Sequence, residues 1–444
     1  MPDTKITRRT FAKTGAAAAF ALTAAQTQRV RGANDRVRLG FIGVANRGGQ
    51  LLNAFLDHDD MEVAALCDVS QSTLDKALAR VGGKADTCRD FRKLIDRQDL
   101  DALVIATPDH WHAIQTIAAC NAGKDVYVEK PLSITVYEGR RMVEAARRNK
   151  RVVQVGIHRR SSPLYARAAQ FVQADKIGKV TVCRCYQLSN MYPTGIGKAP
   201  PSDPPPDLDW EMWLGPRPLR PYQATIAPYK FRWWDLYSSQ AANQGVHFFD
   251  MIRWMTGDLA PASICAMGGR FAVDDDRTIP DTMQVTFQCP AGRLILFGQY
   301  ETCGNPAMAQ SAYAELRGTL GTAYLRDDLI DVIPERGGQF QDRKPRIEPV
   351  QLKASDEAPT KSGNKNLSLT SLHARNFLDC IKSRGTPHGD IEIGHRSTTF
   401  SLLANLSLAT GSRLEWDAER ETITNHPDAN KLLHYEYRSP WKLE

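Results

Sequence analysis

Short apolar runs alternate with helix-length amphipathic stretches along the first third of the chain. The apolar runs are Val37–Val44, Val63–Cys67, Ala102–Ala106, Val126–Val128 and Val152–Val155, and the stretches between them include Gln71–Val81, His112–Ala122 and Ser133–Asn149. Nearly continuous apolar runs are typical of parallel strands that are buried on both faces. The alternation therefore predicts a doubly wound parallel sheet over residues 34–156, with Ser133 as the N-cap of its last helix.

The pattern changes after Gly156. Several strand-like segments follow one another between Pro261 and Ile333, which predicts an antiparallel sheet. Further predicted elements are a strand over Val180–Leu188 and helices over Pro163–Asp175, Leu369–Ser383 and Arg396–Gly411. We expect a second α/β domain over residues 157–444, whose C-terminal helices pack back on the first domain.

Two segments show neither the periodicity of a helix nor that of a strand. Residues Tyr192–Trp234 are rich in Pro, Trp and Tyr and predict a long irregular excursion. Long ordered loops of this kind often carry function. The polar stretch Gly337–Lys365 predicts a mobile loop.

The first 33 residues have the pattern of an export signal. An arginine pair, a Phe and a Lys follow one another within residues 8–13, and the run Gly15–Ala25 is apolar and rich in Ala. This run is too short to span a bilayer, which needs roughly 20 residues. A basic start, a short apolar run and small residues at its end predict a twin-arginine signal. We therefore expect the precursor to use the twin-arginine machinery, and the mature protein to be periplasmic or secreted.

Composition and charge narrow the class of protein. Hydrophobic residues make up 42% of the 444 and charged residues 24%, which excludes a disordered chain, a collagen-like fibre and a multi-span membrane protein. The net charge of +7 suggests an acidic partner at first sight, but residues 1–33 contribute +5 of it and leave +2. No basic helix stripe or nucleic-acid motif is present, so no nucleic-acid partner is expected.

The nine cysteines do not indicate a metal site. They include no CxxC pair and no Cys/His cluster with zinc spacing, and no metal is therefore predicted. Most of them lie in apolar runs, which predicts buried small side chains and leaves room for one or two disulfides.

A glycine-rich turn follows the first predicted strand. Gly43, Ala45 and Gly48 fit a G-x-A-x-x-G fingerprint, with Asn46 and Arg47 between them. Small residues at these positions let a pyrophosphate approach backbone N–H groups at a helix N-terminus. Ala45 departs from the usual Gly, yet a position between a strand and a helix favours a dinucleotide site over a plain turn.

Asp68 follows the second predicted strand. A carboxylate there accepts hydrogen bonds from the adenosine ribose hydroxyls and repels a 2′-phosphate. We therefore expect NAD as the cofactor, with NADP disfavoured. The same side chain can also cap the following helix.

Two further motifs end predicted strands. One is the Thr-Pro-Asp-His-Trp-His segment at 107–112, and the other is Glu129-Lys130-Pro131. Ligands of open α/β sheets bind at the C-terminal ends of the strands. Because Lys130 precedes a proline, its backbone is held extended, which aims its side chain into the crevice. A lysine whose pKa is lowered can act there as acid or base.

Together these motifs resemble those of the Gfo/Idh/MocA family, the relatives of glucose–fructose oxidoreductase and inositol dehydrogenase. The resemblance continues at Gln154-Val155-Gly156 and over Asn243–Asp250, so it covers nearly all of the chain after residue 33. It implies an N-terminal Rossmann domain and a C-terminal α/β domain with an open, mainly antiparallel sheet. It also implies that the cofactor is bound by Gly43, Ala45, Asn46, Arg47, Gly48, Asp68, Thr107, Pro108, His110, His112, Glu129, Lys130 and Gln154.

The resemblance implies that Lys130 and His247 are the catalytic residues, with the histidine contacting the reacting hydroxyl. The family often has an Asp four residues before this histidine, where the present chain has Asn243. An amide cannot act as a general base, but it can bind a sugar hydroxyl. Asp250, one helical turn after His247, is expected to orient it or to contact the substrate.

Further substrate contacts are expected from Arg159, Tyr165 and Trp234. The first two follow the last strand of the first domain, where family members often contact substrate. Trp234 belongs to the irregular excursion, and its aromatic face suits a sugar; the alternative is that it packs the edge of the sheet.

These features predict an exported NAD-dependent oxidoreductase that acts on a hydroxyl of a sugar or glycoside and keeps its cofactor bound. One alternative is an NAD-dependent glycosidase that uses transient oxidation and elimination. The other is a carbohydrate-binding protein without activity. A homo-oligomer built on the open sheet is implied by the resemblance alone.

Overall fold

The structure is a computed structural model that describes residues 36–308, 310–356, 361–362 and 365–443. The predicted export signal lies outside the described residues. Among those that are described, no helix has the length and apolar character needed to cross a membrane.

The first domain contains a six-stranded parallel sheet. Its strands are β1 (Val37–Ile42), β2 (Met61–Cys67), β3 (Asp86–Cys88), β4 (Ala102–Ile105), β5 (Asp125–Val128) and β6 (Val153–Val155). They lie in the order β3-β2-β1-β4-β5-β6, and every neighbouring pair is parallel. This is the doubly wound arrangement, whose order reverses between β1 and β4. The predicted fold class is confirmed; β3 was not predicted because it is short and polar.

Five helices accompany this sheet: α1 (Asn46–Leu56), α2 (Gln71–Arg80), α3 (Arg92–Ile95), α4 (His112–Asn121) and α5 (Val136–Arg148). The prediction of Ser133 as the N-cap of the last helix was wrong, because Thr135 caps it. The Thr135 hydroxyl accepts the N–H of Glu138 at 3.2 Å, and the Glu138 carboxylate accepts the N–H of Thr135 at 3.1 Å. This reciprocal capping box starts the helix at Val136.

The second domain is built on a ten-stranded sheet. Its strands are β7 (Val180–Leu188), β8 (Ser263–Gly269), β9 (Thr282–Cys289), β10 (Arg293–Tyr300), β11 (Ala314–Gly318), β12 (Gly321–Leu325), β13 (Leu329–Pro334), β14 (Val350–Lys353), β17 (Leu414–Asp417) and β18 (Thr422–Ile423), and a separate hairpin pairs β15 (Lys361–Ser362) with β16 (Lys365–Asn366). The order is β14-β13-β12-β11-β7-β10-β9-β8-β17-β18. Within this described sheet only β7 and β10 pair in parallel, so the prediction of a mainly antiparallel sheet is confirmed.

The described residues of this half of the chain form five more helices: α6 (Pro163–Gln173), α7 (Trp210–Leu214), α8 (Val246–Thr256), α9 (Leu369–Ser383) and α10 (Ile391–Thr410). Helices α8 and α10 cover the large sheet, where Phe249 packs against Phe400 at 5.7 Å and against Phe287 of β9 at 5.1 Å. Helix α9 instead packs on the first domain, with the Phe377 ring 6.3 Å from that of Phe55. The two parts of the chain are therefore joined by a shared apolar contact.

The two segments that lack helical or strand periodicity differ in how well the structure agrees with their prediction. Part of the stretch predicted as a mobile loop is ordered, because β14 pairs with β13 at the edge of the large sheet. The excursion contains α7 and a single 3₁₀ turn over Lys230–Trp233, and its aromatic rings form a small core of their own. All nine cysteines are free thiols, and six are buried as expected: Cys67, Cys120, Cys183, Cys185, Cys289 and Cys380.

Candidate active site

A groove of about 560 Å³ lies at the C-terminal ends of β1, β2, β4 and β5. Its other wall is the irregular excursion, through residues between 205 and 232. The structure brings eleven of the predicted site residues to this groove: Gly43, Ala45, Asn46, Arg47, Asp68, Thr107, Pro108, His112, Glu129, Lys130 and Asn243. Their convergence at the strand ends is the geometry expected of a ligand site in an open α/β sheet.

The glycine turn is closely packed around its own backbone. Gly43 has φ +80°, and a Cβ on it would lie 2.7 Å from the carbonyl oxygen of Ala106. A Cβ on Gly48 would lie 1.9 Å from the carbonyl oxygen of Gly43, so neither position admits a side chain. Helix α1 begins directly after this turn with no side-chain cap and no acidic residue in its first turn. Its N-terminal N–H groups are therefore suited to an anionic phosphate.

Asp68 is fixed at the far end of the groove. One carboxylate oxygen accepts the N–H of Val44 at 2.9 Å, and the other accepts the N–H of Ser70 at 3.0 Å. Burial raises the pKa of Asp68, and these backbone N–H groups oppose that change. Each oxygen keeps a second lone pair, so the side chain can still accept hydrogen bonds from a ligand hydroxyl.

Glu129 and Lys130 lie at the opposite end. The Glu129 carboxylate accepts the Nε–H of Arg47 at 2.7 Å and the backbone N–H of Lys130 at 3.1 Å. Burial would raise the pKa of Glu129, but the charges of Arg47 and Lys130 outweigh it and hold the pKa low. Gly156 makes room for this carboxylate, since a Cβ there would lie 2.7 Å from its oxygen.

The Lys130 ammonium is largely removed from water. Burial lowers the pKa of Lys130 to about 8, while the carboxylates of Glu129 and Asp109 counteract the decrease. Its Nζ donates a hydrogen bond of 2.9 Å to the backbone carbonyl of Asn243. A lysine whose pKa is near 8 can both give up and accept a proton at neutral pH, which acid–base catalysis requires.

The carbonyl of Asn243 belongs to a short π-helical turn over Ala241–Gly245, directly before α8. Turns of this kind are rare and often occur at functional sites. Here the turn presents the backbone of Asn243 to Lys130, whereas the side-chain oxygen of Asn243 accepts a hydrogen bond of 3.4 Å from Gln244. The main chain of Asn243 therefore contacts the lysine, a contact that the sequence did not predict.

His247 follows this turn and packs against His158, which was not predicted. The two rings are edge to face, with centroids 5.4 Å apart. Burial, together with the charges of Lys130 and other neighbours, lowers the pKa of His247 well below its ordinary value. Burial also lowers the pKa of His158, to about 4. Both imidazoles are thus neutral at pH 7, and each can donate one hydrogen bond and accept another.

Residues 205–213 of the excursion close over the Asp68 end of the groove, and we call them the clasp. The Asp207 carboxylate accepts hydrogen bonds from the hydroxyls of Ser70 at 3.0 Å and Ser72 at 2.7 Å. Arg89 donates to the carbonyl of Asp207 at 3.1 Å and to that of Val69 at 2.8 Å. The clasp therefore ties the second part of the chain to the loop that carries Asp68.

His110 does not line the groove but holds the clasp. Its Nε2 lies 2.9 Å from the carbonyl oxygen of Trp213, and the indole of Trp111 donates to the same oxygen at 3.1 Å. Burial lowers the pKa of His110 to about 3, so the ring is neutral. The motif at 107–112 thus has two roles, since all of its residues except His110 line the groove, while His110 and Trp111 anchor the clasp.

The structure places four other predicted residues away from the groove. Gln154 is buried, and its side chain donates a hydrogen bond of 2.7 Å to the carbonyl of His373 in α9. The Tyr165 hydroxyl donates a hydrogen bond of 3.0 Å to the carbonyl of Arg326. Trp234 packs within the core of the excursion and donates 2.6 Å to the carbonyl of Thr225. Asp250 binds Arg160 at 2.9 Å and Ser397 at 2.8 Å, so its carboxylate is occupied away from His247.

Arg159 does not line the groove, but its charge acts on residues near the groove's catalytic end. Its guanidinium stacks 4.8 Å from the ring centroid of Tyr313 and pairs with Asp327 at 3.3 Å. Its charge still contributes to lowering the pKa of both His247 and His158, which places it near the catalytic end.

Sequence reasoning missed His158, Asp207 and Arg232. His158 directly precedes the Arg159 that was singled out, so its position after β6 was a usable signal. Asp207 and Arg232 lie in the excursion, whose path over the groove has no signature in the sequence. Within the described part of the chain, no cluster of three or more His, Cys, Asp or Glu residues could hold a metal ion.

A Rossmann sheet with a closely packed glycine turn, joined to an open sheet through a groove that contains a buried lysine, defines the class of NAD(P)-dependent oxidoreductases. Residues 37–157 match the description "Oxidoreductase family, NAD-binding Rossmann fold", and residues 176–301 and 360–443 match "Oxidoreductase family, C-terminal alpha/beta domain". The chain belongs to the Gfo/Idh/MocA family.

Curated relatives align over a limited stretch. A Glycosyl hydrolase family 109 protein of Shewanella sp. (strain W3-18-1) is 34% identical over 125 residues, which is 26% of this chain and 27% of that protein. A protein of the same name from Shewanella baltica (strain OS195) is 35% identical over the same shares of each chain. The matched stretch thus spans only about a quarter of the length of these relatives.

Solved structures are similar over most of the chain. A levoglucosan dehydrogenase in complex with NADH and levoglucosan superimposes with a TM-score of 0.65 at 19% identity, covering 86% of this chain and 99% of that one. An oxidoreductase domain protein from Kribbella flavida superimposes with a TM-score of 0.63 at 21% identity, with the same coverage of both chains. An apo scyllo-inositol dehydrogenase from Lactobacillus casei superimposes with a TM-score of 0.58 at 18% identity, covering 86% of this chain and 98% of that one. At these identities the likeness concerns the fold.

Proposed function

We propose that this protein is an NAD-dependent dehydrogenase that oxidises a hydroxyl group of a sugar or glycoside. The observation that carries the proposal is the position of Lys130 at the end of a dinucleotide groove, where its Nζ donates 2.9 Å to the carbonyl of Asn243 and desolvation lowers its pKa to about 8. The levoglucosan and scyllo-inositol dehydrogenases with the same fold support a polyhydroxylated substrate.

The residues of the groove fit the dinucleotide. The glycine turn and the N-terminus of α1 leave room and N–H groups for the pyrophosphate, because no side chain could occupy Gly43 or Gly48. Asp68, held by two backbone N–H groups, would accept the ribose hydroxyls and disfavour a 2′-phosphate. Once bound, the nicotinamide supplies the hydride acceptor for the oxidation.

The protein's own part of the reaction is proton transfer and positioning. In its neutral form Lys130 takes the proton of the substrate hydroxyl, and the carbonyl of Asn243 fixes the position of its Nζ. Neutral His247 donates a hydrogen bond to the same hydroxyl oxygen, and the ring of His158 limits its rotation. Assay of the purified protein with NAD⁺ and a panel of sugars tests this proposal; absence of both NAD binding and keto-sugar formation would contradict it.

A redox glycosidase is the second candidate. The name of the Shewanella relatives, Glycosyl hydrolase family 109 protein, favours it. The same lysine and histidine would serve a transient oxidation that is followed by loss of the glycosidic group. Release of aglycone from a glycoside without net NADH would establish this candidate, whereas a stable keto-sugar with equimolar NADH would establish the dehydrogenase.

We propose in addition that the protein is exported by the twin-arginine route with its cofactor bound. The arginine pair and short apolar run within residues 1–33 support export, and the clasp supports retention of the nucleotide. A folded reporter fused to residues 1–33 should reach the periplasm, and replacing both arginines by lysine should abolish this. Mass spectrometry of nucleotide released from the purified mature protein tests retention.

A further inference from the structure

Arg232 faces the groove without an acidic partner. It lies on the 3₁₀ turn Lys230–Trp233 and lines the same groove as Lys130 and Asn243. Its guanidinium stacks on the ring of Tyr229 at 4.1 Å and on that of Phe231 at 4.7 Å, and Nη1 donates 2.9 Å to the carbonyl of Tyr229. No carboxylate of the described residues forms an ion pair with it.

The other two arginines that line the groove, Arg47 and Arg89, make more hydrogen bonds to the protein itself. Arg47 is paired with Glu129 at 2.7 Å, and Arg89 is bound to the carbonyls of Val69 and Asp207. Arg232 has one hydrogen bond, although its guanidinium carries five N–H donors. Most of its donors therefore remain available to a ligand.

The turn that carries Arg232 is held rigidly. The indole of the adjacent Trp233 donates to both carboxylate oxygens of Glu301, at 3.0 and 3.1 Å. Glu301 is in turn paired at 2.7 Å with Arg277, a fully buried side chain. A cation that is positioned in advance binds an anion at a lower entropic cost than a mobile one.

The turn that carries Arg232 is joined to the catalytic end of the groove, because Glu301 accepts hydrogen bonds from Trp233 and, at 3.1 Å, from Gln240, which directly precedes the π-helical turn of Asn243. The charge of Arg232 contributes to lowering the pKa of both Lys130 and Asp109, whereas the pKa of Asp68 at the adenosine end has no such contribution among its main causes. The pyrophosphate position at the start of α1 is already provided with backbone N–H groups. A ligand charge near Arg232 would therefore come from the substrate.

We propose that Arg232 binds an anionic substituent, a carboxylate or a sulfate ester, on the sugar whose hydroxyl reacts at Lys130. The planar guanidinium fork matches both groups by two parallel hydrogen bonds. This inference rests on the proposed function and names its substrate class as acidic sugars. A uronic acid and a sulfated sugar share this chemistry, and the test distinguishes them.

The test compares a glucuronide, a sulfated glucoside and the neutral glucoside with the same aglycone. We expect Arg232→Gln to lower kcat/KM for the acidic substrate roughly 10- to 100-fold, the value of a charge-assisted hydrogen bond, mainly through KM. On the plateau above about pH 9, where Lys130 is neutral in both proteins, activity on the neutral glucoside should change less than about threefold, and so should the affinity for NAD. Arg220→Gln is the matched control, since Arg220 stacks on Trp234 at 4.6 Å and does not line the groove.

A pH profile separates this role from a structural one. Because Arg232 lowers the pKa of Lys130, Arg232→Gln should move the acid limb of the neutral-substrate profile to higher pH. Equal losses on acidic and neutral sugars, or weaker NAD binding, would overturn the proposal. If no sugar is oxidised, calorimetry of the NAD complex still decides, since an acidic sugar should bind wild type and the Arg220 variant but not the Arg232 variant.

Discussion

The Nζ of Lys130 lies 2.9 Å from the backbone carbonyl oxygen of Asn243, 113 positions later in the sequence. This hydrogen bond joins the end of β5 in one domain to the π-helical turn before α8 in the other. A carbonyl cannot take a proton, so it orients the ammonium without competing for it. The catalytic end of the groove is therefore assembled only when both parts of the chain are folded together.

Replacing Lys130 by Ala should abolish most of the turnover. Loss of a general acid–base group typically costs a factor of roughly 10² to 10⁴ in rate. NAD binding should persist, because Asp68 and the glycine turn are untouched. Initial rates and nucleotide affinity measure the two effects. Lys198→Ala, which removes an exposed pair with Asp274, is the control and should retain full activity.

The rate of oxidation should rise with pH up to about 8 and then level. Burial lowers the pKa of Lys130 to about 8, and only the neutral amine accepts a proton, so kcat/KM should fall about tenfold per pH unit below that value. His247 adds no limb near neutrality, because burial lowers its pKa well below the ordinary value. A profile that is flat between about pH 6 and 9 would exclude Lys130 as the base.

Asp207→Ala should speed the dissociation of the nucleotide. It removes three hydrogen bonds that hold the clasp to Ser70 and Ser72, two from their hydroxyls and one from the backbone N–H of Ser72. Because the clasp closes the Asp68 end of the groove, we expect roughly a 10-fold faster release of NAD when these bonds are lost. Stopped-flow displacement of bound NADH measures this rate. Asp203→Ala, an exposed aspartate in the same excursion, should leave it unchanged.

Asp68→Ala should relax the preference for NAD over NADP. The variant removes the charge that would repel a 2′-phosphate and the acceptor for the ribose hydroxyls. We expect the ratio of kcat/KM values for NAD and NADP to fall by roughly 10-fold or more. An unchanged ratio would show that Asp68 serves only the loop, through its bonds to Val44 and Ser70.

Arg277→Ala should destabilise the protein strongly. Arg277 is fully buried and pairs with Asp275 at 2.9 Å and with Glu301 at 2.7 Å. Removing it leaves two buried carboxylates without their counter-charge, which costs about 3–5 kcal/mol in the free energy of unfolding. Urea unfolding measures this loss. Arg270→Ala is the control, because Arg270 is exposed and should change the free energy by less than about 1 kcal/mol.

The first domain was largely predictable because its signals are local. Continuous apolar runs identify strands that are buried on both faces, and the spacing of Gly43, Ala45 and Gly48 identifies the turn between β1 and α1. Strand ends in a parallel sheet meet at one edge, so the sequence also predicted that Asp68, Thr107 and Lys130 converge. Local errors, such as the N-cap of α5, came from a choice between adjacent hydroxyl residues.

Long-range pairing was outside the reach of the sequence. The excursion carries aromatic and charged residues with no periodicity, so nothing in it shows that Asp207 reaches Ser70 or that Arg232 lines the same groove as Lys130. Likewise, Asp250 follows His247 by one helical turn, yet its carboxylate binds Arg160 and Ser397. Helical spacing states which residues share a face but not which partner that face meets.

The sequence by itself determined the two sheets, the dinucleotide turn and the lysine at the strand end, because each depends on residues that are close together in the chain. Only the tertiary structure decided the clasp, the hydrogen bond from Lys130 to the carbonyl of Asn243 and the presence of Arg232 in the same groove. Those contacts join residues more than 100 positions apart, and their geometry follows from how the two domains pack around the groove.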